Sequence, residues 1–164
     1  MKAIFDIAEF LWKLRTRLRF GELSRAPLQL LRFEVAAENA KCEWLAREPD
    51  PWDADLDAEL RLRNATLQAL QDAVAMREML FSSIPEVREA KFRVYRQADL
   101  VTRDLIIAGL VSRDDVAPPR LSSIAMRAKL YGLHFSLERG TLEPLLSECT
   151  NFEFATAKAS TNKH

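Results

Sequence analysis

Residues 90–113, AKFRVYRQADLVTRDLIIAGLVSR, constrain the fold more than any other stretch of the 164-residue chain. Two apolar runs, Phe92-Arg93-Val94-Tyr95 and Leu105 to Val111, flank a polar link. The second is the densest apolar segment in the sequence. Alternation along a strand sends Phe92 and Val94 one way and Arg93 and Tyr95 the other. The pair therefore reads as the central antiparallel hairpin of a small sheet. In the second run Leu105, Ile107, Gly109 and Val111 oppose Ile106, Ala108 and Leu110, which predicts a central strand covered on both sides. Gly109 in mid-strand points to a bulge or a close backbone approach.

The flanking segments are read against that hairpin. Ile4, Ile7, Leu11, Leu14 and Leu18 recur at three- and four-residue steps and predict an amphipathic helix over residues 2–20, ending at Gly21. Asp6 and Glu9 precede Lys13, Arg15, Arg17 and Arg19, an order that suits the helix dipole. Residues 27–47 alternate on both sides of an Asn-containing break: Leu31, Phe33 and Val35, then Cys42 and Trp44. A second hairpin is expected there, supplying partners that a lone two-stranded sheet lacks. Residues 48–57 form a Pro- and Asp-rich connector. Asp53, Asp55 and Asp57 match the first three ligands of a calcium loop, but Ala58 and Asn64 stand where that loop needs Gly and Glu. These acids read as the start of a helix over 56–82, with one arc of Leu56, Leu60, Leu67, Leu70, Val74 and Phe81 and a second of Leu62, Ala69, Ala73, Met76 and Leu80. Pro85 stops that helix. After the turn-rich residues 112–120, a helix capped by Ser122 or Ser123 ends at Tyr131 and Gly132. A last strand follows through Leu133, Phe135 and Leu137 to Arg139-Gly140, then a short helix over 141–149 and a frayed tail over 150–164.

The expected fold is α+β: one domain over residues 1–149, with a small antiparallel sheet of four to five strands in ββα-ββα-like order, packed with the N-terminal helix and two further helices. The rival is an all-α five-helix bundle with helices near 2–20, 27–47, 56–82, 86–112 and 120–138, because β-branched residues are few and Val87, Val94, Ala98, Val101, Leu105 and Ala108 also fit a helical stripe. The helix–strand–strand–helix–strand order from 56 to 138 resembles that of small phospholipid- or protein-binding modules such as BON domains. Gly109 and the helix ending at Gly132-Leu133 carry that resemblance, and no family is assigned on them.

Composition bounds the function. Lys plus Arg and Asp plus Glu number 24 each, so the net charge is zero. That argues against a protein made mainly to bind nucleic acid, and it leaves no charge repulsion to oppose self-association. Two cysteines, Cys42 and Cys149, have no metal-type spacing and read as reduced thiols in a cytoplasmic protein. No run approaches a membrane span of about 20 apolar residues, and Asp6 and Glu9 interrupt any signal-peptide core.

Little chemistry is indicated. His134 and His164 are the two histidines and the four glycines stand alone, so no triad, histidine-rich metal site or phosphate loop is expected, and no cofactor. A Cys–His pair between Cys42 or Cys149 and His134 is formally open. Arg15, Arg17 and Arg19, with Arg93, Tyr95 and Arg96, form the candidate interaction surface; arginines beside a tyrosine can serve a nucleic-acid face or pair with local acids such as Glu86, Glu89 and Asp99. The expectation is a non-catalytic interaction or regulatory module with a protein partner or a second copy, through a strand edge or the N-terminal helix. The alternatives are a peripheral membrane protein held by residues 2–20, and an enzyme with a pocket near Tyr95, Cys42 or His134.

Overall fold

The computed structural model describes residues 2–18, 26–49 and 55–145. In chain order the elements are α1 (Lys2–Arg17), β1 (Gln29–Ala36), β2 (Asn39–Leu45), α2 (Ala58–Ser83), β3 (Glu89–Gln97), β4 (Arg103–Ser112), α3 (Ile124–Leu130), β5 (Leu133–His134), β6 (Ser136–Glu138) and β7 (Thr141–Glu143). The fold is α+β, and the five-helix bundle is not formed: residues 27–47 and 86–112 are both hairpins. The expected Gly21 stop and the 150–164 tail lie outside the described residues.

One sheet runs β1-β2-β3-β4-β5 and a second pairs β6 with β7. The large sheet is mixed, not antiparallel as expected, because β2 and β3 are parallel. The connection explains it. The first hairpin turns in two residues, Ala37 and Glu38, with Ala37 at φ 53°. The chain then leaves β2, runs back along α2 and re-enters beside it, the crossover that parallel neighbours require. The carbonyl of Glu38 accepts the N–H of Arg88 at 2.7 Å and seats the start of β3 against the first turn.

Both long helices cover one face of the sheet. There Ala40, Cys42 and Trp44 of β2, Ala90, Phe92 and Val94 of β3, and Ile106, Ile107 and Val111 of β4 are buried. Trp44 meets Phe92 edge to face at 5.2 Å, and Phe10 of α1 stacks on Phe33 of β1 at 4.7 Å. That stack places α1 over the β1 side of the sheet. The second half of α2, from Ala69 to Phe81, is enclosed by α1, α3 and the sheet, whereas Leu56, Leu60, Leu62 and Leu67 at its start are exposed. The two apolar arcs expected along the whole helix hold only where neighbours exist on both sides.

Gly109 makes the close approach. A Cβ there would stand 2.3 Å from the carbonyl oxygen of Gly132, which itself has φ +93°. The bulge falls elsewhere, opposite Val94 and Tyr95, and it turns both Ile106 and Ile107 into the core. β3 is the middle strand of five and β4 lies between β3 and β5, so the hairpin is interior to the sheet. The single strand expected from Leu133 to Arg139 is divided. Leu133 and His134 pair with Gly109 and Ala108, then Ser136–Glu138 turns back at Arg139 (φ 52°) and Gly140 (φ 77°). Two successive left-handed residues form a hairpin turn that twists with its strands. They produce β7 at Thr141–Glu143 where a helix was expected over 141–149; residues 146–149 lie outside the described residues. Ser123 is the α3 cap, its hydroxyl accepting the Met126 N–H at 3.3 Å. Asp57 stands at the N-cap of α2 but makes no side-chain cap bond.

Candidate functional site

One buried cation organises the β1 side of the molecule. Arg47, just after β2 and 4% exposed, donates Nε to Asp72 of α2 at 2.8 Å and Nη1 to the Ala26 carbonyl at 2.8 Å. Its Nη2 donates to the Leu18 carbonyl at the end of α1. Gln68 Nε2 donates to the other Asp72 oxygen at 3.0 Å. A single guanidinium thus joins α1, the approach to β1, and α2. Burial pushes the Asp72 carboxyl above its ordinary value, against the Arg47 and Gln68 hydrogen bonds that lower it. A raised folded-state value means a stabilising contribution that is full in acid and is lost as pH rises through that value. Nothing in residue spacing singles out Arg47; the available signal was Asp72, an acid in the most enclosed part of an apolar helix arc.

The structure separates the residues read as one interaction surface. Arg15 and Arg17 lie exposed on α1, in the helical layer. Arg93 and Tyr95 lie across the sheet, on its open face. Arg96 turns to the helix side and donates to the Leu142 carbonyl at 2.8 Å. Arg19 lies outside the described residues.

The open face is a charge ladder. Register sets Arg32, Glu43, Arg93, Ala108 and His134 in one row across five strands. Glu34, Lys41, Lys91 and Leu110 form the next, and Leu45, Tyr95 and Leu105 an apolar third. Arg32 also pairs with Glu34 along its own strand at 2.9 Å. Glu34 and Glu43 are set among Arg32, Lys41, Lys91 and Arg93, and Lys41 stands directly beside Lys91, so these rows carry a cationic excess broken by two acids. Arg32, Lys41, Glu43, Lys91 and Arg93 border only a shallow depression of about 110 Å³.

A larger cleft of about 770 Å³ opens between the start of α2, the ends of β2, β3 and β4, and β7. Ala65, Ala69 and Ile106 give it an apolar floor, and Arg61, Arg96, Asp104 and Glu143 line its rim. Arg96 and Thr66, whose hydroxyl accepts the Leu142 N–H at 3.0 Å, are engaged in holding β7. Opposite charges balance around this opening, and it selects no ligand class.

Cys42 and His134 do not meet. Cys42 is fully buried on the helix face, and burial pushes its thiol up, away from the nucleophilic thiolate. His134 belongs to the open-face row. Among the described residues no three His, Cys, Asp or Glu side chains converge as metal ligands, and no helix is long and apolar enough to cross a membrane. Cys149, His164, Asp50 and Asp53 lie outside the described residues.

The remaining surface is the β1 margin. Among the described residues no strand pairs with the far side of β1, so alternate N–H and C=O groups along its eight residues point outward. Above it, α1 packs Phe10 and Leu14 into the core and leaves a second apolar flank uncovered. Phe5, 72% exposed, and Trp12, 63% exposed, share that flank two turns apart, and Ile4, 68% exposed, lies about 100° around the helix from Phe5. The Phe10–Phe33 stack seats α1 on β1, while Phe5 and Trp12 lie about 140–160° around the helix from Phe10 and face outward. No family model, no curated protein and no solved structure matches this chain.

Proposed function

We propose that this chain is a non-catalytic interaction module that docks protein partners along the outer edge of β1 and the adjoining flank of α1. The observation carrying this reading is the conjunction of an eight-residue strand edge that is unpaired among the described residues with three large apolar side chains, each more than 60% exposed, on the helix packed over that strand. Backbone groups on an edge give affinity by strand addition, and an apolar cluster nearby gives an anchor. A photo-crosslinking amino acid placed at Trp12, or at Tyr95 on the open face, tests it in cells producing the protein from its own gene. Discrete protein adducts from position 12 and none from 95 are expected; the reverse pattern contradicts the reading.

A second reading rests on the same flank. Ile4, Phe5 and Trp12 with Arg15 and Arg17 have the composition of a helix lying in a membrane interface. Against it, Glu9 pairs with Lys13 on the same helix at 2.8 Å and reduces its basic excess. Co-sedimentation with anionic vesicles separates the two: Ile4→Ser with Trp12→Ser abolishes pelleting if the membrane is the partner and leaves it unchanged otherwise.

A further inference from the structure

We propose that the partner at the β1 edge is a second copy of this chain, paired antiparallel through β1 about a two-fold axis at Phe33; this rests on the reading of that edge as a docking surface. The strand QLLRFEVA is self-complementary in one register. Centring the axis on Phe33 sets Arg32 opposite Glu34 of the other copy, and the symmetry repeats the pair. Phe33 then faces Phe33. Moving the axis to Arg32 or to Glu34 sets like charges directly opposite, which destabilises a cross-strand pair. Placing it between Phe33 and Glu34 sets each charge opposite an apolar side chain. The bulge between Leu30 and Arg32 interrupts the regular edge, so regular pairing about Phe33 spans Arg32–Glu34, the part holding both charges.

The three-dimensional arrangement fits the same operation. A two-fold axis perpendicular to the sheet keeps both helical layers on one side. Phe33 points into that layer under Phe10, so the two Phe10–Phe33 stacks come together beneath the paired helices. Each α1 overlies its own β1 and so approaches its counterpart across the axis. Zero net charge leaves no global repulsion to oppose the pairing.

Size exclusion with light scattering, on the full chain and on Arg32→Glu and Glu34→Arg variants, tests the register. The unmodified chain is expected to dimerise. Either variant alone turns two cross-strand pairs from opposite to like charge and weakens association about 30-fold. Mixing the two variants faces an acidic strand with a basic one, and a heterodimer at least as tight as the original is expected. Recovery on mixing also shows that both variants fold. A dimer that neither substitution weakens overturns this pairing while leaving a docking module. A monomer at every concentration overturns it as well; adducts from position 12 to a different protein then preserve the docking reading, and their absence removes both.

Discussion

The two margins of the sheet are finished differently. At the β4 margin, β5 adds two residues, and the backbones of Gly109 and Gly132 approach so closely that neither position accepts a side chain. α3 closes over this end, where Arg77 lies 3.8 Å from the Tyr131 ring and donates to the carbonyls of Ser112 and Asp115 at 2.8 and 2.7 Å. At the β1 margin eight residues of strand carry nothing on their outer side among the described residues, and the overlying helix exposes Phe5 and Trp12. A sheet edge is a hazard unless it is shortened, covered or used. One margin is covered by backbone contact; the other keeps its length and an apolar border, which is the form a used edge takes.

That contrast can be broken at each margin. The largest effect is expected from Arg47→Ala, which leaves Asp72 buried and unpaired and frees the carbonyls of Leu18 and Ala26. A loss of about 3–5 kcal/mol follows from breaking a buried pair on one side, read from urea unfolding. Amide exchange should rise first in α1 and β1, the elements Arg47 joins. Gly109→Ala attacks the covered margin. Its Cβ would meet the Gly132 carbonyl, and a loss of about 3 kcal/mol is expected, the upper end for overpacking. Exchange should rise in β4 and β5 while β1 is unchanged. Ser123→Ala removes the α3 cap and should lower stability by about 1 kcal/mol, seen as a small shift of the thermal midpoint. Trp12→Ser should change stability by less than about 0.5 kcal/mol, because the side chain is exposed, yet weaken self-association measurably.

Much of this was legible in the residues. Alternation through Leu31, Phe33 and Val35, and through Phe92 and Val94, marks both hairpins, and Gly109 announces the close approach that Gly132 completes. The parallel pairing of β2 with β3 was missed although its signal was present: a long helix between two strands is a crossover. Alternation assigns faces to a strand and says nothing of its neighbour's direction. The split at Phe135 was hidden because Leu133, Phe135 and Leu137 alternate without a break, while their pairing changes from β4 to β7. The candidate surface was dispersed for the same reason. Arg93 and Arg96 are three residues apart, and in a strand an odd separation sends them to opposite faces. The open edge itself has no marker in the sequence, since which strand ends a sheet depends on every other pairing.

Amide hydrogen exchange of residues 32–36, in dilute and in concentrated solution, tests the use of the β1 edge most directly. Outward-facing amides of this segment should exchange more slowly as concentration rises, while β4 amides from Ile106 to Val111 keep their rates. Exchange through Arg32–Ala36 that is fast and independent of concentration would contradict the account.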